Sequence, residues 1–189
     1  MREWLKTLDR DDRREIGADI LAVQQGWPLG LPLCRSLGKG LWEVRSSLPN
    51  GRIARVIFAF DDGTIVLLNG FIKKDAKDAA ARDRTCAEAL QGDVAMTRKK
   101  HHGSSFEAFL AEDGLLEEAS LAATKKVIAA QIADAMKKKG LTKSAMAAEM
   151  ETTRAQLDRL LDPDNDSVTL ATLKRAAKAL GKKLRLELA

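Results

Sequence analysis

The sequence predicts an α+β fold in two parts: a small antiparallel sheet with flanking helices, then an all-α region that closes on a short C-terminal strand. Three observations predict it. Alternating apolar runs on either side of Asn50-Gly51 read as a β-hairpin. Residues 140–181 read as consecutive short helices with Thr at each start. Composition divides the chain between these signals. Trp4, Trp27 and Trp42 all lie in the first 95 residues, and the remainder has no Trp and is rich in Ala, Leu and Lys.

In chain order, Asp9 is positioned to cap a helix over 9–25 that places Ile16, Ile20 and Val23 on one face. The Pro/Gly-rich stretch from Trp27 to Pro32 ends that helix. Strands are expected over 41–48 and 53–60, and Asp61-Asp62-Gly63 turns the chain into a third over 64–69. A second helix over 76–90 completes the sheet domain. Residues 91–105 are polar, without apolar periodicity, and read as a linker. Met96, followed by a basic lead, resembles the start of an independent protein joined to the first, a reading that rests on family resemblance and not on Met96 alone. The domains expected are therefore 1–92 and 106–189, with 93–105 between them. A linker of about ten residues spans roughly 33 Å when extended, so the parts can meet within one chain or between two.

A lysine-rich helix ends at Gly140, and Thr142 caps a short helix with Met146 and Met150 inward. Thr153 followed by Gln156 forms a capping-box signature for the next helix, with Leu157, Leu160 and Leu161 inward. Asp162-Pro163-Asp164-Asn165 stops it, and Thr169 caps a last helix. This is the pattern of a helix-turn-helix over about 124–181, whose second helix enters the major groove. Thr152, Thr153, Arg154, Gln156 and Arg159 then face outward as base-reading and phosphate-contacting candidates, with Lys143 and Ser144 at the start of the preceding helix. Charge agrees with this division. Residues 1–95 carry 15 Lys and Arg against 14 acids, and residues 96–189 carry 17 against 13. The alternation Leu184-Arg185-Leu186-Glu187-Leu188 predicts a strand that can pair with a second copy, which suits a homodimer on a two-fold operator.

The second part resembles the Xre-type antitoxins of the HigA group over roughly 96–189, through Leu160 to Leu170 and the terminal Leu184 to Leu188. The first part resembles the RelE-like toxins, in the HigB-type branch often described as phage-derived. The residues that carry this likeness are Leu37 to Arg45, Ala54 to Phe58 and Leu68 to Lys74. Such toxins cleave mRNA in the ribosomal A site, and their genes sit beside an antitoxin of the second kind. The resemblance therefore implies a type II toxin–antitoxin fusion: an mRNA endonuclease held in check by an operator-binding autorepressor. The rival expectation is a transcription factor whose first part has lost catalysis.

RNA cleavage by 2′-hydroxyl attack needs a base, an acid and positive charge for the phosphorane. The first part has no His and no Tyr, which leaves Glu43, Arg45, Arg55, Lys73 and Lys74 as the candidate set. By resemblance, Arg45 and Arg55 occupy basic active-site positions, and Lys73 or Lys74 a third. Glu43 stands where some relatives carry Lys and is open to a structural role, pairing with one of the arginines. A two-residue Asn50-Gly51 turn would put Arg45 and Arg55 on opposite faces of the sheet, whereas a bulge or longer loop would reunite them.

Residues 103–120 hold five acids and no Lys or Arg. Phe106, Glu107, Phe109, Leu110, Glu112 and Asp113 form the toxin-neutralising candidates, drawn to a basic catalytic surface. The alternative is that the Phe and Leu residues extend the core of the second domain. Cys34 and Cys86 have neither disulfide nor metal-ligand spacing, and His101 and His102 lack ligand partners nearby, so neither metal nor cofactor is expected. No apolar run approaches membrane length and the N-terminus is charged from Arg2, so a cytoplasmic protein without a targeting segment is expected.

Overall fold

The computed structural model describes residues 1–30, 33–61, 63–73, 105–163, 165 and 167–185. They form an α+β architecture with a four-stranded antiparallel sheet and, among the described residues, seven α-helices. Two compact units divide them, Met1–Ser120 and Leu121–Ala189. The expected helix over 76–90, and the expected linker apart from Ser105, lie outside the described residues.

The first unit opens with a short helix that the sequence reading did not anticipate, α1 (Arg2–Lys6), which buries Leu5. Helix α2 (Arg10–Gly26) starts as expected: the Asp9 carboxylate accepts from the Asp12 amide at 2.8 Å, and Ile16, Ile20 and Val23 are buried. The strands follow in the order β1 (Cys34–Gly38), β2 (Leu41–Ser47), β3 (Ile53–Asp61) and β4 (Thr64–Lys73), each paired with the next in sequence. Strand β1 was not expected. It is short, bounded by Gly38, and joined to β2 through Lys39-Gly40 at φ 51° and 81°.

One face of the sheet is covered by helices. The Trp27 ring packs edge-on to Trp42 and Phe58 with centroids 4.8 and 5.4 Å away, and the Trp4 ring fills the space that a side chain at Gly70 would need. Helix α3 (Phe106–Glu112), capped by the Ser105 hydroxyl, buries Phe109 and Leu110. Leu110 sits over Gly17 of α2, where an added Cβ would lie 3.0 Å from Leu110 Cδ2. Helix α4 (Leu116–Lys138) begins in this unit, with Leu115 and Ala119 also buried, and continues into the second.

In the second unit, α5 (Lys143–Glu149), α6 (Arg154–Leu161) and α7 (Leu170–Ala179) carry their predicted Thr caps. The side chains of Thr142, Thr153 and Thr169 accept from the amides three residues on, each at 3.2 Å. Met146, Met150, Leu157 and Leu160 enter a core shared with Ile132, Met136, Leu173 and Leu180, while Leu161 is partly buried at its edge. The capping box departs from expectation in one bond: the Gln156 carboxamide oxygen accepts from the Thr152 hydroxyl. Buried Lys125 donates to the carbonyls of Leu160 and Asp162 at 2.8 and 2.7 Å, closing the C-terminus of α6 with a cation. Residues 182–185 carry no strand; the rest of the expected terminal strand lies outside the described residues.

Candidate functional site

The chain between β2 and β3 decides whether the candidate cations meet. Leu48 N–H donates to the Arg52 carbonyl at 2.8 Å across a three-residue loop, Pro49-Asn50-Gly51, in which Asn50 and Gly51 both take the left-handed conformation at φ 61° and 69°. Extending the hairpin by one residue relative to a two-residue turn shifts the register by one and reverses the facing of every partner. Arg45 therefore lies directly opposite Arg55, and Glu43 opposite Ile57. The opposed-face arrangement that a two-residue turn would impose is corrected by this loop.

Partners directly across a ladder share a face, as do alternate residues along a strand. Arg35 (opposite Glu43), Glu43, Arg45, Arg55, Phe71 (opposite Arg55) and Lys73 (opposite Ile53) thus belong to one face of the sheet. Trp42, Phe58 and Gly70, against which Trp27 and Trp4 pack, belong to the other. Glu43 is fully buried; Arg55 Nη1 donates to its Oε2 at 3.1 Å, while Arg45 Nε lies 4.0 Å from Oε1. The Arg55 side chain is only 7% exposed, against 33% for Arg45. One carboxylate thus binds the Arg55 guanidinium and faces that of Arg45, and Arg45 is the one that solvent reaches. The structural reading of Glu43 gains support from this pairing. Lys74 lies outside the described residues.

Arg35 was missed by the sequence reading. Its signal was the Gly38-Lys39-Gly40 turn, which marks a hairpin one strand earlier than Asn50-Gly51. Near it, the Cys34 thiol is pushed up to about 11, chiefly by burial, with the Glu43 charge adding to the shift. Such a thiol is no nucleophile near neutral pH. Among the described residues no group of His, Cys, Asp or Glu is placed to hold a metal ion. Likewise, no helix among them is long and apolar enough to cross a membrane.

The acidic segment meets cations on the helices. Asp113 accepts from Arg13 at 2.6 Å, Glu118 from Arg10 at 3.2 Å, Glu107 from the Gln24 amide at 3.3 Å, and Glu112 from Arg2, whose guanidinium also lies over the Phe109 ring at 5.4 Å. Phe106 stacks on Phe109 with centroids 6.1 Å apart. The expectation that these acids seek the catalytic cations is corrected: they pair with α1 and α2, on the side of the sheet opposite Arg45 and Arg55. The apolar side chains extend the core of the first unit, with Leu110 against Gly17.

In the second unit, Thr153, Arg154, Gln156 and Arg159 are exposed on or just before α6, Thr152 is half-buried, and Lys143 and Ser144 are exposed at the start of α5. The structure brings two of them together through a residue outside the candidate set: Lys143 Nζ lies 2.6 Å from Asp158 Oδ1, and Arg154 Nε 3.9 Å from Oδ2. The Lys143 contact holds the Asp158 carboxyl below its usual range. The i, i+4 spacing of Arg154 and Asp158 was legible in sequence. The partner on α5 was not.

Compared with known proteins, residues 3–91 match the family model described as phage-derived protein Gp49-like (DUF891), a RelE-like, toxin-like family. No curated protein and no solved structure matches the chain.

Proposed function

We propose that the first unit is a ribosome-dependent mRNA endonuclease and that the second is a DNA-reading antitoxin that neutralises it and represses its own operon. The carrying observation is the match over residues 3–91 to a RelE-like family, together with the cations that share one sheet face. On this reading the exposed Arg35 and the half-buried Arg45 and Lys73 bind RNA phosphate, and Arg45 stabilises the charge that develops on the phosphorane. Glu43 accepts the 2′-hydroxyl proton or fixes the guanidinium groups, and its ion pair with Arg55 supports the second role. Neutralisation works through α3, a segment that packs within the first unit and leads along the chain through α4 into the second. The α5–α6 surface, with Thr153, Arg154, Gln156 and Arg159 outward, reads an operator in the major groove.

Cell-free translation tests this reading. Leu110→Asp in the full chain is expected to release α3 and stop synthesis with cut mRNA, and adding Arg45→Ala is expected to restore synthesis. If the wild type and Leu110→Asp both stay inert while folded, a second reading takes over: a DNA-binding regulator whose toxin-like unit has lost catalysis. The burial of Arg55 in its ion pair with Glu43 is the observation that favours it.

A further inference from the structure

Asp158 places a negative charge on the surface assigned above to DNA. Its carboxylate lies between two cations from different helices, Lys143 of α5 at 2.6 Å and Arg154 of α6 at 3.9 Å, with side chains 49%, 66% and 44% exposed for Lys143, Arg154 and Asp158. All three are within reach of a ligand laid across α5 and α6. A phosphate arriving there must compete with the carboxylate for both cations and meets its repulsion as well. Every other long polar side chain exposed along α6 is a cation or an amide: Arg154, Gln156 and Arg159.

We propose that Asp158 is a specificity-determining residue of this surface: by engaging Lys143 and Arg154 it holds down sequence-independent phosphate binding, so that contacts to base edges decide which duplex is kept. This rests on the DNA-reading assignment. Phosphate contacts supply nearly all of non-specific affinity, and each one releases counterions, which makes affinity fall with salt by a power of about 0.9 per contact. A cation already paired within the protein contributes less of that release.

The test is fluorescence anisotropy of the full chain on a labelled duplex of mixed sequence across a salt series, for the wild type, Asp158→Asn and Asp158→Asn/Lys143→Ala. Asp158→Asn is expected to bind tighter, by about eightfold for each cation set free at about 0.1 M salt, with a slope of log affinity against log salt steeper by about 0.9 per cation. Removing Lys143 as well is expected to take back one cation's share. Asp158→Ala carries the same expectation and guards against an effect peculiar to asparagine. If the wild type binds and both Asp158 variants bind no tighter with unchanged slope, the proposal is overturned while the DNA-reading assignment stands. If no variant binds duplex at any salt, the assignment falls and the proposal falls with it.

Discussion

Arg52 reaches from the turn between β2 and β3 to the Asp12 carboxylate at the start of α2, with Nη1 and Nη2 at 2.5 and 2.9 Å from its two oxygens. Asp12 is buried although its partner is about one-third exposed, so removing the arginine strands a carboxylate away from water. Arg52→Ala is expected to destabilise the first unit, measured as a lower midpoint of urea unfolding. The Cys34 thiol gives a pH test. Its value in the folded state is raised from 9.0 to about 11, so the contribution of the neutral thiol to stability is fully present below pH 9 and is lost as pH rises towards 11. In a Cys86→Ser background, Cys34 is therefore expected to resist a thiol-specific dye at pH 8 in the folded protein and to react at once in denaturant. Rapid labelling of the folded protein would contradict the burial described here.

Between elements, α3 is held on α2 by a steric notch and an ion pair that can be tested separately. Gly17 lets Leu110 approach, and Gly17→Leu is expected to lift α3, costing about 1–3 kcal/mol from overpacking. The Arg13–Asp113 pair is half-shielded, with side chains 21% and 26% exposed, so either charge reversal alone juxtaposes like charges. Arg13→Asp and Asp113→Arg are each expected to speed hydrogen exchange at the Ala108–Ala111 amides, and the double variant to return it towards the wild-type rate. Equal exchange in all four proteins would show that the ion pair contributes nothing to docking.

Across the whole molecule, the two units have separate cores. Leu157 is fully buried among Met146, Met150 and Leu173 in the second, so Leu157→Ala is expected to cost about 3 kcal/mol there. Hydrogen exchange in β2 to β4 is expected to stay at its wild-type rate; faster exchange in the sheet would mean that the cores unfold together. What the sequence determined by itself was what short-range chemistry decides. The Asp9, Thr142, Thr153 and Thr169 caps, the facing of Ile16, Ile20 and Val23, and the inward Met146 and Leu157 all follow from a side chain acting within one or two helical turns of its own backbone. One helix and one strand went the other way. Helix α1 is too short to show a period, and β1 is five residues with a mixed burial pattern, so both draw their stability from neighbours. The site was legible as a list of cations and an acid but not as an arrangement. Whether Arg45 faces Arg55 depended on a one-residue difference in the Pro49–Gly51 loop, which composition does not encode. Which arginines the acidic segment meets, and which lysine Asp158 meets, were likewise decided by tertiary structure alone, because residues about 15 to 110 positions apart become partners only when packing brings their elements together.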